Sequence, residues 1–467
     1  MAIIYFWGAA QEVTGSCHLI ESSAFGKILL DCGIRQGGDA LARMGDGEFS
    51  FNPATIDAVI LSHAHLDHSG LLPKLVHDGF SGPIYCSAAT ADLLPVMLRD
   101  SVGIYLSDLE RENRRLARKD KPPLEPLYGE EDVNQVLTQC VPQPYKHSFA
   151  IAEQAKVQLF DAGHILGSAI VELSFSERGE HKTLVFSGDL GNKNAVLMKD
   201  PSILNKADIV LMEGTYGDRN HKSLDDTVSQ LKTILADTEA RGGNIMIPAF
   251  AVGRTQEILF YLGCLHQEGL LKNWQVILDS PMAIEVSQVY DKWFSALDQS
   301  EIEQASPKAR SILSDFIPRL FLSVSPDESM MINKIQKGAL IIAGSGMCTG
   351  GRIRHHFKQR IWDSRNTIIF CGYQANGTLG RMLVDGLKHL KLFGDEYIVK
   401  AQIETLGGFS AHAGQRDLID WLGHFDNAPK VVLVHGEPVA LEALAQKLWD
   451  DKNIKALIPS LGQSLVF

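Results

Sequence analysis

The chain has 467 residues, too many for one ordinary hydrophobic core, so two domains are expected, with one interrupting the other. It is 45% hydrophobic and 21% charged, the composition of a globular protein, and no apolar run approaches the roughly 20 residues of a membrane span. A net charge of −12 argues against unselective nucleic-acid binding by the whole surface, and seven scattered cysteines without a C-x-x-C pair argue against a disulfide framework or a thiolate zinc site. The opening "MAIIYFWGAA" lacks the basic flank and long apolar centre of a secretory signal. It reads as a first strand, and a cytoplasmic protein is expected.

"GKILLDCG" then reads as a strand ending at Asp31 and Gly33. In "IDAVILSH" the run Val59-Ile60-Leu61 is brief, partly β-branched and bounded by polar residues, which predicts a short buried strand. At its carboxyl end stands "SHAHLDH", with His63, His65, Asp67 and His68 in six consecutive positions. A solvated loop has no use for so many ligand-type side chains, whereas imidazole nitrogen and carboxylate oxygen suit a divalent metal such as zinc. Leu71, Leu72, Leu75 and Val76 follow at the spacing of one helical face, with Ser69 or Asp67 available as N-cap. Strand, ligand loop and helix is a common layout for an α/β active site.

Residues 83–98 read as a further strand and helix, and the charged, proline-dotted stretch 100–150 as an insertion. "KVQLFDAGHILGSAIVELSF" and "KTLVFSGDLG" carry strand patterns with His164 and Asp189 at their ends, and "ADIVLMEGTYG" ends in Glu213. From about 217 the pattern changes to strand, glycine loop and helix units, as in "GGNIMIPAFAVGRTQEILFYL" and "KGALIIAGSGMCTGGRIRHHF", which implies a mainly parallel sheet with helices on its faces. The basic stretches 111–121 and 350–360 read as solvated helix faces first and binding patches second. In the last segment ligand-type residues beside buried strands return. His412 lies in a glycine-flanked loop, and His435 follows the strand Val431–Val434 directly.

His63, His65, Asp67, His68, His164, Asp189 and His435 therefore gather at strand ends, and seven donors are what two metals sharing one bridge require. His18, His77, His181 and His424 read as ordinary hydrogen-bonded structural residues.

The motifs "DCG", "SHAHLDH", "GHILGS" and "SGDLG" resemble those of the metallo-β-lactamase superfamily. "EGTYGDR", "IPAFAVGRTQE", "LDSPMA", "SGM", "GFSAHAG" and "LVHGE" are similar, in this order, to motifs of its β-CASP branch of RNA-processing nucleases, and the likeness spans essentially the whole chain. The resemblance implies an α/β fold, a four-layered αββα sandwich of residues 1–216 and 409–467, interrupted at 217–408 by a β-CASP domain. It assigns His63, His65 and His164 to one zinc ion, Asp67, His68 and His435 to a second, and Asp189 to both. Asp31 would orient a histidine ligand, and Glu213 and His412 would stand beside the scissile phosphate, His412 as proton donor to the leaving oxygen.

Two zinc ions per chain and hydrolysis of single-stranded RNA are thus expected, RNA over DNA because the branch that processes RNA has histidine at the position of His435. Backbone N–H groups of Ser345 and Gly346, with Arg254, Arg352 and Arg381, are candidates for holding neighbouring phosphates. The competing readings are a catalytically inactive scaffold subunit, which would have lost ligands, and a small-molecule metallo-hydrolase, which would lack the inserted domain. No appended RNA-binding module is visible, so substrate choice falls to the cleft, to a homodimer or to a partner; no membrane association is expected.

Overall fold

The computed structural model describes every residue except 1, 36–47, 306–309, 314, 318, 373 and 376. The chain forms two compact units, one of Met1–Asn220 with His412–Phe467, the other of His221–Ala411. In chain order the first unit begins with strands β1 (Ile3–Phe6), β2 (His18–Ser22), β3 (Gly26–Leu30), β4 (Ala58–Ile60), β5 (Ile84–Ser87) and β6 (Cys140–Gln143). β7 (Ser148–Ala152), β8 (Ala155–Asp161), β9 (Ala169–Glu177), β10 (Glu180–Phe186) and β11 (Ile209–Glu213) follow. The second unit holds β12 (Ile245–Pro248), β13 (Gln275–Leu278), β14 (Phe321–Leu322), β15 (Ala339–Ala343), β16 (Thr367–Cys371), β17 (His389–Leu392), β18 (Asp395–Ile398) and β19 (Gln402–Leu406). β20 (Lys430–Val434), β21 (Ala456–Leu457) and β22 (Ser464–Val466) return to the first.

Two seven-stranded sheets build the first unit, in the orders β22-β1-β2-β3-β4-β5-β6 and β21-β20-β11-β10-β9-β8-β7. Period-2 alternation explains how they stack. Along β9, Val171, Leu173 and Phe175 enter the core between the sheets, where they meet Ile4, Phe6, Ile20, Leu30 and Ile60 of the first sheet. Ile170 of β9, with Val185, Val210, Met212 and Leu433, points to the opposite face and packs on the helices Gln415–Leu422 and Pro438–Lys452. The helix Ala88–Ala117, N-capped by the Ser87 hydroxyl, covers the outer side of the first sheet at β5 and β6. This is the αββα sandwich.

One expectation is corrected here: the stretch 100–150 is not an insertion. Its end supplies β6 and β7, which close the edges of the two sheets. Edge strands can be short, polar and proline-bearing because one side of their ladder is unpaired, so Pro142 and the half-exposed Val141 hid a strand.

In the second unit β14-β13-β15-β12-β16-β19 make a sheet whose pairings are all parallel. The antiparallel hairpin β17–β18 stands beside it as a two-stranded sheet, and its Leu390 and Leu392 join the core around Phe357, Ile361 and Phe370. No helix among the described residues is long and apolar enough to cross a membrane.

Candidate metal centre

β3 and β4 run parallel, as do β10, β11 and β20, so their carboxyl ends lie at one edge of each sheet. Asp31, His63, Asp189 and His435 follow these ends within three residues, and Glu213 is the last residue of β11. Main-chain bonds tie the "SHAHLDH" loop to the end of β3, Cys32 N–H to the His68 carbonyl (2.8 Å), and to the stretch before β2, Ser16 N–H to the Asp67 carbonyl (2.7 Å). Close approach explains Gly33, where a Cβ would sit 1.7 Å from the Asp67 oxygen. Leu71 occupies the N-cap position of the helix Leu72–His77 without a side-chain cap bond, so neither Ser69 nor Asp67 caps it; both lie in the preceding one-turn helix Leu66–Ser69.

Three ring nitrogens converge: His65 Nδ1 lies 3.1 Å from His63 Nε2 and 3.2 Å from His164 Nε2. A tetrahedral ion with bonds of about 2.0–2.1 Å sets its donors about 3.3 Å apart, so this is the spacing of an ion's coordination shell. Asp189 Oδ2 stands 3.5 Å from His63 Nε2, 3.6 Å from His164 Nε2 and 3.3 Å from His68 Nε2. His435 Nε2 faces Asp67 Oδ2 at 3.6 Å, and His435 Nδ1 faces Asp189 Oδ1 at 3.5 Å. Donor atoms of His63, His65, His164 and Asp189 lie within 4.8 Å of one another, and so do those of Asp67, His68 and His435.

His68 Nε2, Asp189 Oδ1 and His435 Nε2 are buried with no hydrogen-bond partner among the described residues, which is costly unless a cation satisfies them. The protonation states suit that role. Burial holds the His63 and His65 imidazoles below their ordinary range and therefore neutral. Burial opposes charge on Asp67 and Asp189 too, but the surrounding histidines prevail, holding Asp67 down to about 2 and Asp189 well below the usual carboxylate range.

Asp31 lies 2.6 Å from His68 Nδ1 and accepts from Ser62 N–H (2.7 Å), Ser62 Oγ (2.9 Å) and Ser16 Oγ (3.0 Å). With Nδ1 so held, His68 presents Nε2 to Asp189. Sequence reasoning missed Ser16, Ser62, Ser168 and Thr215. Ser168 Oγ accepts from His164 N–H at 3.0 Å, and Thr215 Oγ1 lies 3.1 Å from His435 Nδ1. A small hydroxyl at a buried strand end, where an apolar residue would pack better, was their only signal.

Glu213 is fully buried, and its carboxylate accepts from Leu190 N–H (2.7 Å) and Thr215 N–H (3.2 Å). Its Oε1 lies 3.1 Å from Nδ1 of His412, whose ring packs 4.4 Å from that of His164. Burial works against the imidazolium, yet Glu213, Asp189 and Asp67 push His412 up to about 9.

Of the other histidines, His77 faces Asp132 at 3.2 Å and His181 faces Ser176 Oγ at 3.4 Å. His18 departs from expectation: it is wedged between the rings of Phe6 and Phe186, neither nitrogen has a hydrogen-bond partner among the described residues, and burial drives it down to about 3.

In the second unit the three candidate arginines each meet a carboxylate. Arg352 donates from Nη1 to Asp279 Oδ1 (2.7 Å) and from Nη2 to the Val324 carbonyl (2.8 Å). Arg254 is likewise buried in an ion pair with Glu257, and Arg381 Nε donates to both oxygens of Asp385. Ser345 Oγ accepts from Gly350 N–H at 3.2 Å, and a Cβ at Gly346 would strike the ring of Phe250. These two residues therefore have packing reasons for their identity.

Residues 10–238 match the metallo-beta-lactamase superfamily, 255–383 the Beta-Casp domain, and 396–459 the Zn-dependent metallo-hydrolase RNA specificity domain. The chain is 39% identical to Ribonuclease TTHA0252 of Thermus thermophilus over 452 residues, 96% of each chain. It is 31% identical to the transcription termination factor FttA of Methanosarcina mazei, covering 96% of this chain and 69% of that one. An RNase J-like protein of Methanocaldococcus jannaschii matches at 29% over the full length of both.

Proposed function

This chain belongs to the metallo-beta-lactamase superfamily and carries its Beta-Casp domain, and from that premise we propose that it is a metal-dependent ribonuclease that hydrolyses phosphodiester bonds of single-stranded RNA at a two-zinc centre. The observation that carries the reading is the position of Asp189, whose Oδ2 lies 3.3–3.6 Å from donor nitrogens of both histidine sets. His63, His65 and His164 would hold one ion, Asp67, His68 and His435 the other, and Asp189 both. When bound, such a pair makes a water nucleophilic near neutral pH and neutralises phosphoryl oxygens.

The chain's own residues do the rest. Asp31 fixes His68 through Nδ1, and Thr215 fixes His435 through its Nδ1. Glu213 holds His412 through Nδ1, and His412 would give a proton to the departing 3′ oxygen. Attack by water at phosphorus with loss of the 3′ oxygen yields 5′-phosphate and 3′-hydroxyl ends, and the ribose 2′-hydroxyl takes no part.

The test is incubation of metal-loaded protein with end-labelled and internally labelled single-stranded RNA. Products with 5′-phosphates, formed equally across a 2′-O-methyl linkage, are expected, and the two labels separate internal from terminal cutting. No cleavage, or cyclic 2′,3′-phosphate ends, would overturn the reading. Elemental analysis should find two metals per chain; one would remove the shared role of Asp189.

A further inference from the structure

The hairpin β17–β18 closes through only two residues, Phe393 and Gly394, because Leu392 pairs directly with Asp395. Both central residues have positive φ, 52° and 98°, the pattern of a type I′ turn. Asn-Gly relieves that geometry best, whereas a bulky residue at positive φ is strained. Phe393 therefore costs the turn something. Burial in the core does not offset it, since Leu390 and Leu392 anchor the hairpin there while Phe393 stays 51% exposed.

Cations surround the exposed ring. The helix Ile353–Arg360, "IRHHFKQR", contains no acidic residue, in a chain of net charge −12. The His355 ring stacks on Phe393 at 4.5 Å and 22°, the Arg354 guanidinium lies 5.3 Å from the ring centroid and Lys358 Nζ 6.0 Å from it. The carboxylate of Asp395 stands 3.9 Å from Lys358 Nζ. Half-exposed aromatic surface fringed by guanidinium and ammonium groups is the combination that holds single-stranded nucleic acid: a base stacks on the π face while cations take the flanking phosphates.

We propose that Phe393, with Arg354, His355 and Lys358, is a stacking platform for one nucleotide of single-stranded RNA, separate from the metal ligands. The proposal rests on RNA being the substrate. It assigns the cationic stretch 350–360 a new division of labour, in which Arg352 holds the fold through Asp279 while Arg354 and Lys358 face the ligand.

The experiment uses the full chain and a short phosphorothioate-linked oligoribonucleotide carrying 5-iodouridine, irradiated in the near ultraviolet, with crosslinked peptides mapped by mass spectrometry. A crosslink at Phe393 is expected. Phe393→Asn, which suits the turn better, should melt no lower than the wild type, lose the crosslink and weaken oligonucleotide binding about tenfold, as for one lost stacking contact. Phe393→Trp should retain binding, and Lys358→Ala should flatten the salt dependence by about 0.7 per phosphate released. Absence of the crosslink, affinity of Phe393→Asn within twofold of wild type, or equal labelling by a duplex of the same sequence would each overturn the platform. Cleavage of unmodified RNA by the wild type, measured in parallel, judges the nuclease reading separately, because the crosslink requires no turnover.

Discussion

His412 and Glu213 form the pair that a bare two-metal hydrolase would not need. Glu213 spends both oxygens on backbone N–H groups and still reaches His412 Nδ1, so it is a fixed charge that holds one ring. His412→Ala is expected to keep both metals and RNA binding while slowing cleavage by about 10²–10⁴, the usual cost of losing a general acid. A substrate with sulfur in place of the scissile 3′ oxygen needs little protonation on departure and should restore the rate. Normal metal content without that rescue would make His412 a phosphate-positioning group. Glu213→Gln removes the charge and leaves one oxygen for Leu190 N–H and His412, with its amide N–H2 set against Thr215 N–H, and is expected to slow cleavage less than His412→Ala. Residues of this kind were legible in proportion to how close in sequence their partners lie. His63, His65, Asp67 and His68 announced themselves by adjacency, but the pairing of Arg352 with Asp279 was not legible because the two are 73 positions apart. Thr215 and Ser62 were invisible for a different reason: a hydroxyl at a strand end looks like any turn residue until the ring it holds is in place.

Between elements, two junctions make testable claims. Gly33 lets the end of β3 pass against the Asp67 carbonyl, and Gly33→Ala would push a methyl group into main chain that cannot yield without moving Asp67 and His68. We expect that variant to fold with weakened metal binding, most of all at the ion assigned to Asp67, His68 and His435, as read by metal titration. In the second unit, Asp279 follows β13 and joins it to the helix Ile353–Arg360, accepting from Arg352 Nη1, His356 Nε2 and Ser329 Oγ, each at 2.7 Å. Burial alone would raise its pKa, but these hydrogen bonds hold it well below the usual carboxylate range. The stabilisation is therefore complete above the unfolded value of about 3.9 and is lost as pH falls through the lower folded value. Burial holds His356 below its ordinary value as well, so protonation in the unfolded chain adds acid sensitivity of the same sign from about pH 6.5 downward. Asp279→Asn should lower stability toward the lower end of the roughly 3–5 kcal/mol of a broken buried pair, since Arg352 is partly solvated. It should also flatten acid unfolding of this unit, and a variant with the wild-type acid profile would remove Asp279 from that account. The strands themselves were readable because buried parallel strands are short apolar runs, whereas the edge strands β6 and β7 lacked that signature.

At the level of the whole molecule, all seven donors belong to the first unit. Chelation should therefore destabilise the units unequally. With free metal at 100 times its dissociation constant, one site contributes about 2.7 kcal/mol to the unit that holds it. Hydrogen exchange with and without chelator should show lost protection at the ends of β4, β10 and β20, and little change in β12, β15 and β16. Equal loss in both units would mean that metal binding is coupled across the entire chain.

The first unit is also discontinuous: β20 completes the second sheet beside β11, and His412 and His435 arrive only after the whole of the other unit. A ribosome makes the chain from its amino end, and domains fold as they emerge. While the nascent polypeptide is still being made, the "SHAHLDH" loop, His164 and Asp189 precede the other unit, whereas His412 and His435 follow it. Assembly of the centre thus waits on the whole of the other unit.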